Sequence, residues 1–249
     1  MPISTLIETK GFKFRPAFDC RIADRKVGFY NELAFLCPFV TEGATVIDIG
    51  ANDGDTALPM AVLAGKTGKV ICFEPNPVTY KKLLENVELN ELSNTECYNF
   101  GLSKVNGKQK FVFDEAQGNG GLETRQIKIG NFPKRVELEC RNLHNLSPSI
   151  KDHFRKAVYI KVDTEGSDID ILEEIYGLIR HSRPIIQVEW WIGTEKQMVK
   201  FLDSKKYFAV DKNTMQTQHN LLPKAKWEHD KEIHDLIFIP IEKLKKKIR

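Results

Sequence analysis

Four acidic residues end, or nearly end, apolar β-branched runs: Asp48 in TVIDIG, Glu74 in KVICFE, Asp163 in AVYIKVD and Glu189 in IIQVEW. A carboxylate can accept hydrogen bonds from hydroxyls, hold an ammonium group, or take a proton from a reacting alcohol. One such acid marks only the place where a strand leaves the interior. Four at matching places point to a shared functional edge. The first run leads into GANDGDT and then a helical pattern of Ala57, Met60, Ala61 and Ala64. A strand, a tight glycine turn and a helix start make a ligand site, because the first N–H groups of a helix are unpaired. Asp48, Asp53 and Asp55 make this turn a poor cradle for phosphate and a better one for an ammonium or hydroxyls.

The ligand class follows partly by elimination. A dinucleotide fingerprint needs glycines in G-x-G-x-x-G, and counting from Gly50 the other two positions are Asn52 and Asp55. A phosphate loop ending in G-K-[ST] is missing altogether. What remains is D-x-G-x-N-x-G, with Glu74 at the end of the next strand placed to accept both hydroxyls of a ribose. An adenosine carrying a charged amino-acid arm suits this arrangement, and S-adenosylmethionine is that molecule.

The elements that must position these residues alternate. Strands are expected at 45–49, 69–74, 95–100, 157–163, 184–191, 207–210 and 234–240. Helices are expected at 25–40, from Thr56 (as N-cap) to an end within Ala64–Gly68, from Pro77 to about Asn90, at 148–156, from Asp168 after a Ser167 cap to about Arg180, and at 195–204. The four central strands are almost continuously apolar, as strands buried on both faces are, and their alternation with helices places them in a parallel sheet. Ligands of such sheets bind beyond the carboxyl ends of the strands, where strand order reverses. Between 101 and 145 the pattern becomes β-rich, with runs at 108–113 and 135–140 divided by a glycine-rich loop, AQGNGGLET, read as a flexible hairpin or a lid. The fold class expected is α/β, a Rossmann-like doubly wound, mostly parallel sheet with an N-terminal extension and a β-rich insertion. The chain is read as a single domain over 1–249, with an extension at 1–40, a catalytic core at 41–240 and a basic tail at 241–249.

Composition narrows the class. With 249 residues, 41% hydrophobic and 29% charged, the chain has the make-up of a globular α/β protein. A net charge of +3 leaves no large electrostatic footprint for nucleic acid, and the terminal LKKKIR reads as a solvated end. No apolar run reaches the roughly 18–20 residues of a membrane span, and the first residues lack the layout of a signal peptide. Five widely spaced cysteines, an odd number, read as free thiols of a reducing compartment, so a cytoplasmic location is expected.

The segments VIDIGANDGDTALPMA, GKVICFEPNP, LLENVELN, FGLS, IKVDTEGSDIDILE and IIQVEW resemble, in order, those of the FkbM-type methyltransferases, a family of class I S-adenosylmethionine-dependent enzymes. HDLIFIP resembles the family's closing strand. The resemblance implies a seven-stranded sheet whose last strand is antiparallel and lies beside the sixth. It also implies that Asp48, Gly50 and Asn52 line the methionine part, that Glu74 takes the ribose, that Asn99–Leu102 lies near the adenine, and that Asp163 lies near the methyl group. With the flanking positions, the candidate cofactor-binding residues are Asp48, Gly50, Ala51, Asn52, Asp53, Asp55, Thr56, Glu74, Pro75, Asn76, Gly101, Leu102 and Asp163. Asp53 stands where the family more often has an aliphatic residue. Members commonly methylate hydroxyl oxygens of sugars or polyketide-like products, which implies a small-molecule or glycan acceptor.

Methyl transfer from a sulfonium is an in-line displacement, so positioning the reacting atoms about 3–3.5 Å apart is a large part of catalysis. An alcohol acceptor also needs a base. Asp163, Glu165 and Glu189 are the candidate catalytic residues, with His144, His153 and His219 as further bases. Asp163 with Glu189 or Glu165 is alternatively an oxygen-ligand set that suits Mg²⁺. Other readings are a methyltransferase acting on RNA or another acceptor, a nucleotide-binding oxidoreductase or epimerase, and a cofactor-binding module without catalysis. Of the tryptophans Trp190 and Trp191, one is expected in the core and one against a sugar ring.

Overall fold

A computed structural model of the chain describes residues 7–9, 12–14, 31–114, 119–123, 134–191, 193–212, 215 and 234–244. A short hairpin, β1 (Ile7–Thr9) and β2 (Phe12–Phe14), comes first, and residues 31–36 are helical. Residues 25–30 of the helix expected at 25–40, the expected base His219 and the tail beyond 244 lie outside the described residues.

The main sheet begins with β3 (Thr45–Ile49), followed by helix α1 (Ala57–Ala64), β4 (Lys69–Phe73), helix α2 (Pro77–Leu89) and β5 (Thr95–Tyr98). The chain then builds a second sheet from β6 (Gly101–Leu102), β7 (Gly107–Asp114), β8 (Asn119–Leu122) and β9 (Lys134–Arg141), in the order β6-β9-β7-β8. Helix α3 (Pro148–Lys156) returns it to the main sheet through β10 (Tyr159–Val162), α4 (Asp168–Ile179), β11 (Ile185–Trp190), α5 (Glu195–Lys205), β12 (Tyr207–Asp211) and β13 (His234–Pro240). A last turn of helix, α6, covers Ile241–Leu244.

The main sheet has seven strands in the order β12-β13-β11-β10-β3-β4-β5. β13 runs antiparallel to both its neighbours, β11 and β12, and the pairs joining β11, β10, β3, β4 and β5 are all parallel. This is the expected seven-stranded arrangement, with the last strand beside the sixth. From β3 the chain moves outward through β4 and β5, then returns to the other side of β3 as β10. Strand order therefore reverses between β3 and β10, the place where open α/β sheets bind ligands.

Alternation along each strand feeds two cores. Ile47, Ile49, Ile71, Phe73, Ile160, Val162, Ile186 and Val188 pack on one face with Phe154 of α3 and Leu172 of α4. Val46, Val70, Cys72 and Tyr159 pack on the other with Ala57, Met60 and Ala61 of α1 and Leu83 of α2. Leu36 and Val40 join the second core, so this end of the N-terminal segment is built into the fold.

The glycine-rich stretch read as a hairpin or a lid contains strand β8, which pairs antiparallel with β7. Gly120 sits directly opposite Phe113, where a Cβ would lie 2.0 Å from Phe113 Cδ1. Glycine here makes room for an aromatic ring across the pair. Thr56 and Ser167 precede their helices but cap neither with a side-chain hydrogen bond. Asn76 and Ser147 do cap, accepting from Val78 N–H and Ile150 N–H.

No helix among the described residues is long and apolar enough to cross a membrane. Cys37, Cys72, Cys97 and Cys140 are free thiols, Cys72 and Cys140 buried.

Candidate active site

The strand registers bring the four acids together. Ile49 pairs with Phe73 and with Val162, and Val162 pairs with Val188. One residue further, Glu74, Gly50, Asp163 and Glu189 therefore stand abreast at the carboxyl edge of β4, β3, β10 and β11. Two residues deeper, the same registers align Cys72, Asp48, Lys161 and Gln187. In-register parallel strands turn both rows to one face.

The turn after β3 is held from below and from the side. Gly50 N–H and Ala51 N–H both donate to Phe73 O, at 2.9 and 3.0 Å. Gly50 has φ +84°, and a Cβ there would lie 1.8 Å from Asp163 O, so only glycine lets β3 and the loop after β10 approach this closely. Asn52 adopts φ +50°, a left-handed backbone rare for a side-chain-bearing residue. Its N–H donates to Glu74 Oε2 at 2.9 Å, while Asn76 N–H donates to Glu74 Oε1 at 2.8 Å. Glu74 thus clamps the turn to the start of α2, and each of its oxygens keeps a second lone pair. Burial pushes its carboxyl up to about 7 against these two N–H donors, with Asp53 and Asp48 adding repulsion.

Asp48 is the buried anion of the site. It is fully buried, and neither carboxylate oxygen has a hydrogen-bond partner among the described residues. Burial pushes its carboxyl up to about 7, opposed by the Lys161 ammonium and reinforced by Asp55, Asp163 and Glu32. A buried carboxylate without donors is costly, and an ammonium ligand would relieve it. The residues therefore fit a ligand with a cationic amino-acid end at Asp48 and hydroxyls at Glu74.

Around these, Ala51, Asp53 and Thr56 are buried and Asp55 is exposed. Asp53 faces the interior, and its carbonyl accepts from Asn86 Nδ2 at 2.8 Å. Pro75 and Asn76 follow Glu74, and Asn76 Oδ1 caps α2. Asn99 Nδ2 donates to Glu74 O and Pro75 O at 2.9 and 3.1 Å. Gly101 and Leu102 are buried in β6, where a Cβ on Gly101 would lie 3.4 Å from Pro75 Cβ.

On the other side of the reversal, Asp163 accepts from Lys161 Nζ at 2.8 Å and keeps about a third of its side chain exposed. The loop that follows carries Glu165 at φ +56° and Gly166 at φ +101°. Asp168, buried, holds that loop: Oδ1 accepts from Thr164 N–H (2.9 Å) and Thr164 Oγ1 (3.3 Å), and Oδ2 from Gly166 N–H (3.0 Å). Burial, with Asp163 second, pushes its carboxyl up to about 7. Burial first, and then the charges of Asp163, Glu165 and Asp168, push the Glu189 carboxyl well up. That direction favours its protonated form, a hydrogen-bond donor, over the base expected from sequence. Trp191 Nε1 donates to its Oε2, and Trp190 is buried in the core.

Lys161 and Asp168 are the site residues that sequence reasoning passed over. The signals were a lysine inside an otherwise apolar strand and an acid two residues after Gly166. The two described candidate histidines lie elsewhere: His153 Nε2 is 3.8 Å from Glu96 Oε2, and His144 is exposed in a short 3-10 turn. Among the described residues, no group of three or more His, Cys, Asp or Glu is arranged to hold a metal ion, so the Mg²⁺ reading gains no support.

Comparison with known proteins matches this frame. The model of the methyltransferase FkbM domain matches residues 48–220. Methyltransferase 1 of Beauveria bassiana is 22% identical over 204 residues, covering 76% of this chain and 77% of its own length. Methyltransferase sdnD of Sordaria araneosa is 27% identical over 195 residues, covering 64% of this chain and 72% of its own. The crystal structure of M. jannaschii TYW2 in complex with AdoMet aligns with a TM-score of 0.50 and 13% identity over 96% of this chain and 85% of that one, a likeness of fold.

Proposed function

The chain belongs to the FkbM methyltransferase family, and from that premise we propose that it uses S-adenosylmethionine to methylate a hydroxyl of a sugar, glycan or other small hydroxylated product. The observation that carries the cofactor reading is Asp48, a fully buried carboxylate with no hydrogen-bond donor of its own among the described residues, set two residues below the Gly50 turn.

When bound, S-adenosylmethionine supplies a methyl group on a positively charged sulfur. Asp48 holds the ammonium of the amino-acid arm, and Glu74 takes the ribose hydroxyls on its remaining lone pairs. Gly50, Ala51 and Asn52 pass close to the ligand along their backbone, with Asp53, Asp55 and Thr56 completing the turn and helix start. Pro75 and Asn76, with Gly101 and Leu102, border the adenine side. Asp163 stands across the strand reversal from Gly50 and is partly open, which supports it as the group that receives the acceptor's proton. A positioned base of this kind contributes about 10²–10⁴-fold. Glu189, held neutral, donates a hydrogen bond to the acceptor without adding a further negative charge, and Glu165 borders the same opening.

The near-neutral charge of +3 favours a small acceptor over a polyanion such as RNA, since nucleic-acid affinity rests largely on neutralised phosphates. The test is transfer of labelled methyl from S-adenosylmethionine to separate pools of glycosides, hydroxylated small molecules and tRNA, with Asp163→Asn as the comparator. Label on a hydroxyl of the first two pools, abolished in the variant, is expected. Label on tRNA alone would overturn the acceptor class.

A further inference from the structure

Lys161 is a buried cation in the row beneath the catalytic edge, its side chain 8% exposed. Its ammonium lies 2.8 Å from Asp163 Oδ2 and 4.0 Å from Asp48 Oδ1. The two acids belong to different strands and, in the reading above, to different substrates: Asp48 serves the cofactor and Asp163 the acceptor. Lys161 is the described cation placed between them. Burial alone would drive a lysine toward its neutral form, but Asp163, Asp48 and Asp55 outweigh this and raise it well above its ordinary range, so it stays charged.

We propose that Lys161 is a positioning residue shared by the two half-sites, which fixes the Asp163 carboxylate for the acceptor and offsets the Asp48 charge so that Asp48 is ionised to receive the cofactor's ammonium. The geometry divides the work. The hydrogen bond goes to Asp163, leaving Asp48 with an attraction through space and two oxygens open to a stronger partner. With both acids ionised, this trio of two carboxylates and one ammonium carries one net negative charge, which favours a cationic ligand.

Without Lys161, Asp48 would face burial and the charges of Asp55, Asp163 and Glu32 with no counter-charge. It would hold its proton to higher pH, and cofactor binding would begin later. Glu74 also titrates in the site, but its charged neighbours are Asp53 and Asp48, so its share of the pH dependence follows Lys161 only indirectly.

The inference rests on the proposed cofactor reading, and S-adenosylhomocysteine as a calorimetric probe separates the two. The dissociation constant is measured across pH for the wild type, Lys161→Met and Lys161→Arg. Lys161→Met should move the binding midpoint up by about one pH unit or more, while Lys161→Arg, which keeps the charge, should stay close to wild type. A role limited to packing would change affinity at every pH and leave the midpoint alone. A wild-type midpoint in Lys161→Met overturns the inference and leaves the cofactor reading standing. Failure of the folded wild type to bind at any pH overturns the cofactor reading itself. Should Lys161→Met not fold, Asp163→Asn frees the ammonium for Asp48 and removes a repelling charge, so the midpoint should fall; an unchanged midpoint there overturns the inference equally.

Discussion

The Asn52 amide binds the Glu74 carboxylate, N–H to Oε2 at 2.9 Å, across 22 residues of sequence and two adjacent strands. Because Asn76 N–H holds the other oxygen, Glu74 shapes the ligand turn and, in the proposed function, would also present lone pairs to a ribose. Glu74→Ala should therefore lose both. The two N–H groups left without an acceptor cost about 1–3 kcal/mol of stability. The affinity for S-adenosylhomocysteine should fall about 100-fold or more, as charge-assisted hydrogen bonds of about 1.5–3 kcal/mol each are lost. Calorimetry and thermal unfolding check this, and unchanged affinity would refute the ribose assignment.

Gly50→Ala tests the junction of β3 and β10. Its φ of +84° and the 1.8 Å approach of a Cβ to Asp163 O leave no room for a methyl group. A cost of at least about 3 kcal/mol, with loss of cofactor binding, is expected from denaturant unfolding, because backbone strain and a backbone clash combine. A variant as stable as wild type would show that the two loops separate readily.

The pH dependence of stability has a definite sign. Asp48, Glu74 and Asp168 are each pushed up to about 7, above their ordinary carboxylate values of 3.8 or 4.5. Raised carboxyls favour the folded state below their unfolded values, and that contribution is lost as pH rises through about 7. The cofactor-free protein should thus lose stability between about pH 4 and pH 7 through these groups. The rise in Tm produced by S-adenosylhomocysteine should grow over the same window, as Asp48 and Glu74 become carboxylates. Thermal unfolding with and without the ligand measures both trends, and a ligand increment independent of pH would contradict the assignment.

Asp168→Asn should loosen the loop after β10 without touching the cofactor turn. Its carboxylate accepts from both Thr164 and Gly166, and an amide would turn an N–H₂ toward one of them. Faster hydrogen exchange at Thr164 and Gly166 is expected, with S-adenosylhomocysteine affinity within about threefold of wild type. Equal protection in the variant would mean that the loop is held by other contacts.

Much of this arrangement is legible in the sequence because strands buried on both faces are written as near-continuous apolar runs. TVIDI, KVICF, YIKV and IIQVEW each became a strand, and the acid closing each run lies at or near one edge. β13 is legible as a strand in HDLIFIP, but its antiparallel direction came from family resemblance, since the run states no direction by itself. What stayed hidden depends on contacts between distant segments. The lysine in YIKV reads as an ordinary interruption until β3 brings Asp48 within 4.0 Å of it. Glu189 looks like a base until the fold buries it beside Asp163, Glu165 and Asp168, which together push its carboxyl up. Gly120 looks like a loop residue until Phe113 is placed across from it.

The proposed function stands on Asp48 as the buried carboxylate that would receive the cofactor's ammonium. Titrating S-adenosylhomocysteine into the wild type and Asp48→Asn at about pH 8, with far-UV circular dichroism confirming the fold of each, tests it most directly. One ligand should bind per wild-type chain, and the variant should bind about 100-fold more weakly, the scale of a lost charged hydrogen bond of about 1.5–3 kcal/mol. Equal binding by the two proteins, or no binding by the folded wild type, would contradict it.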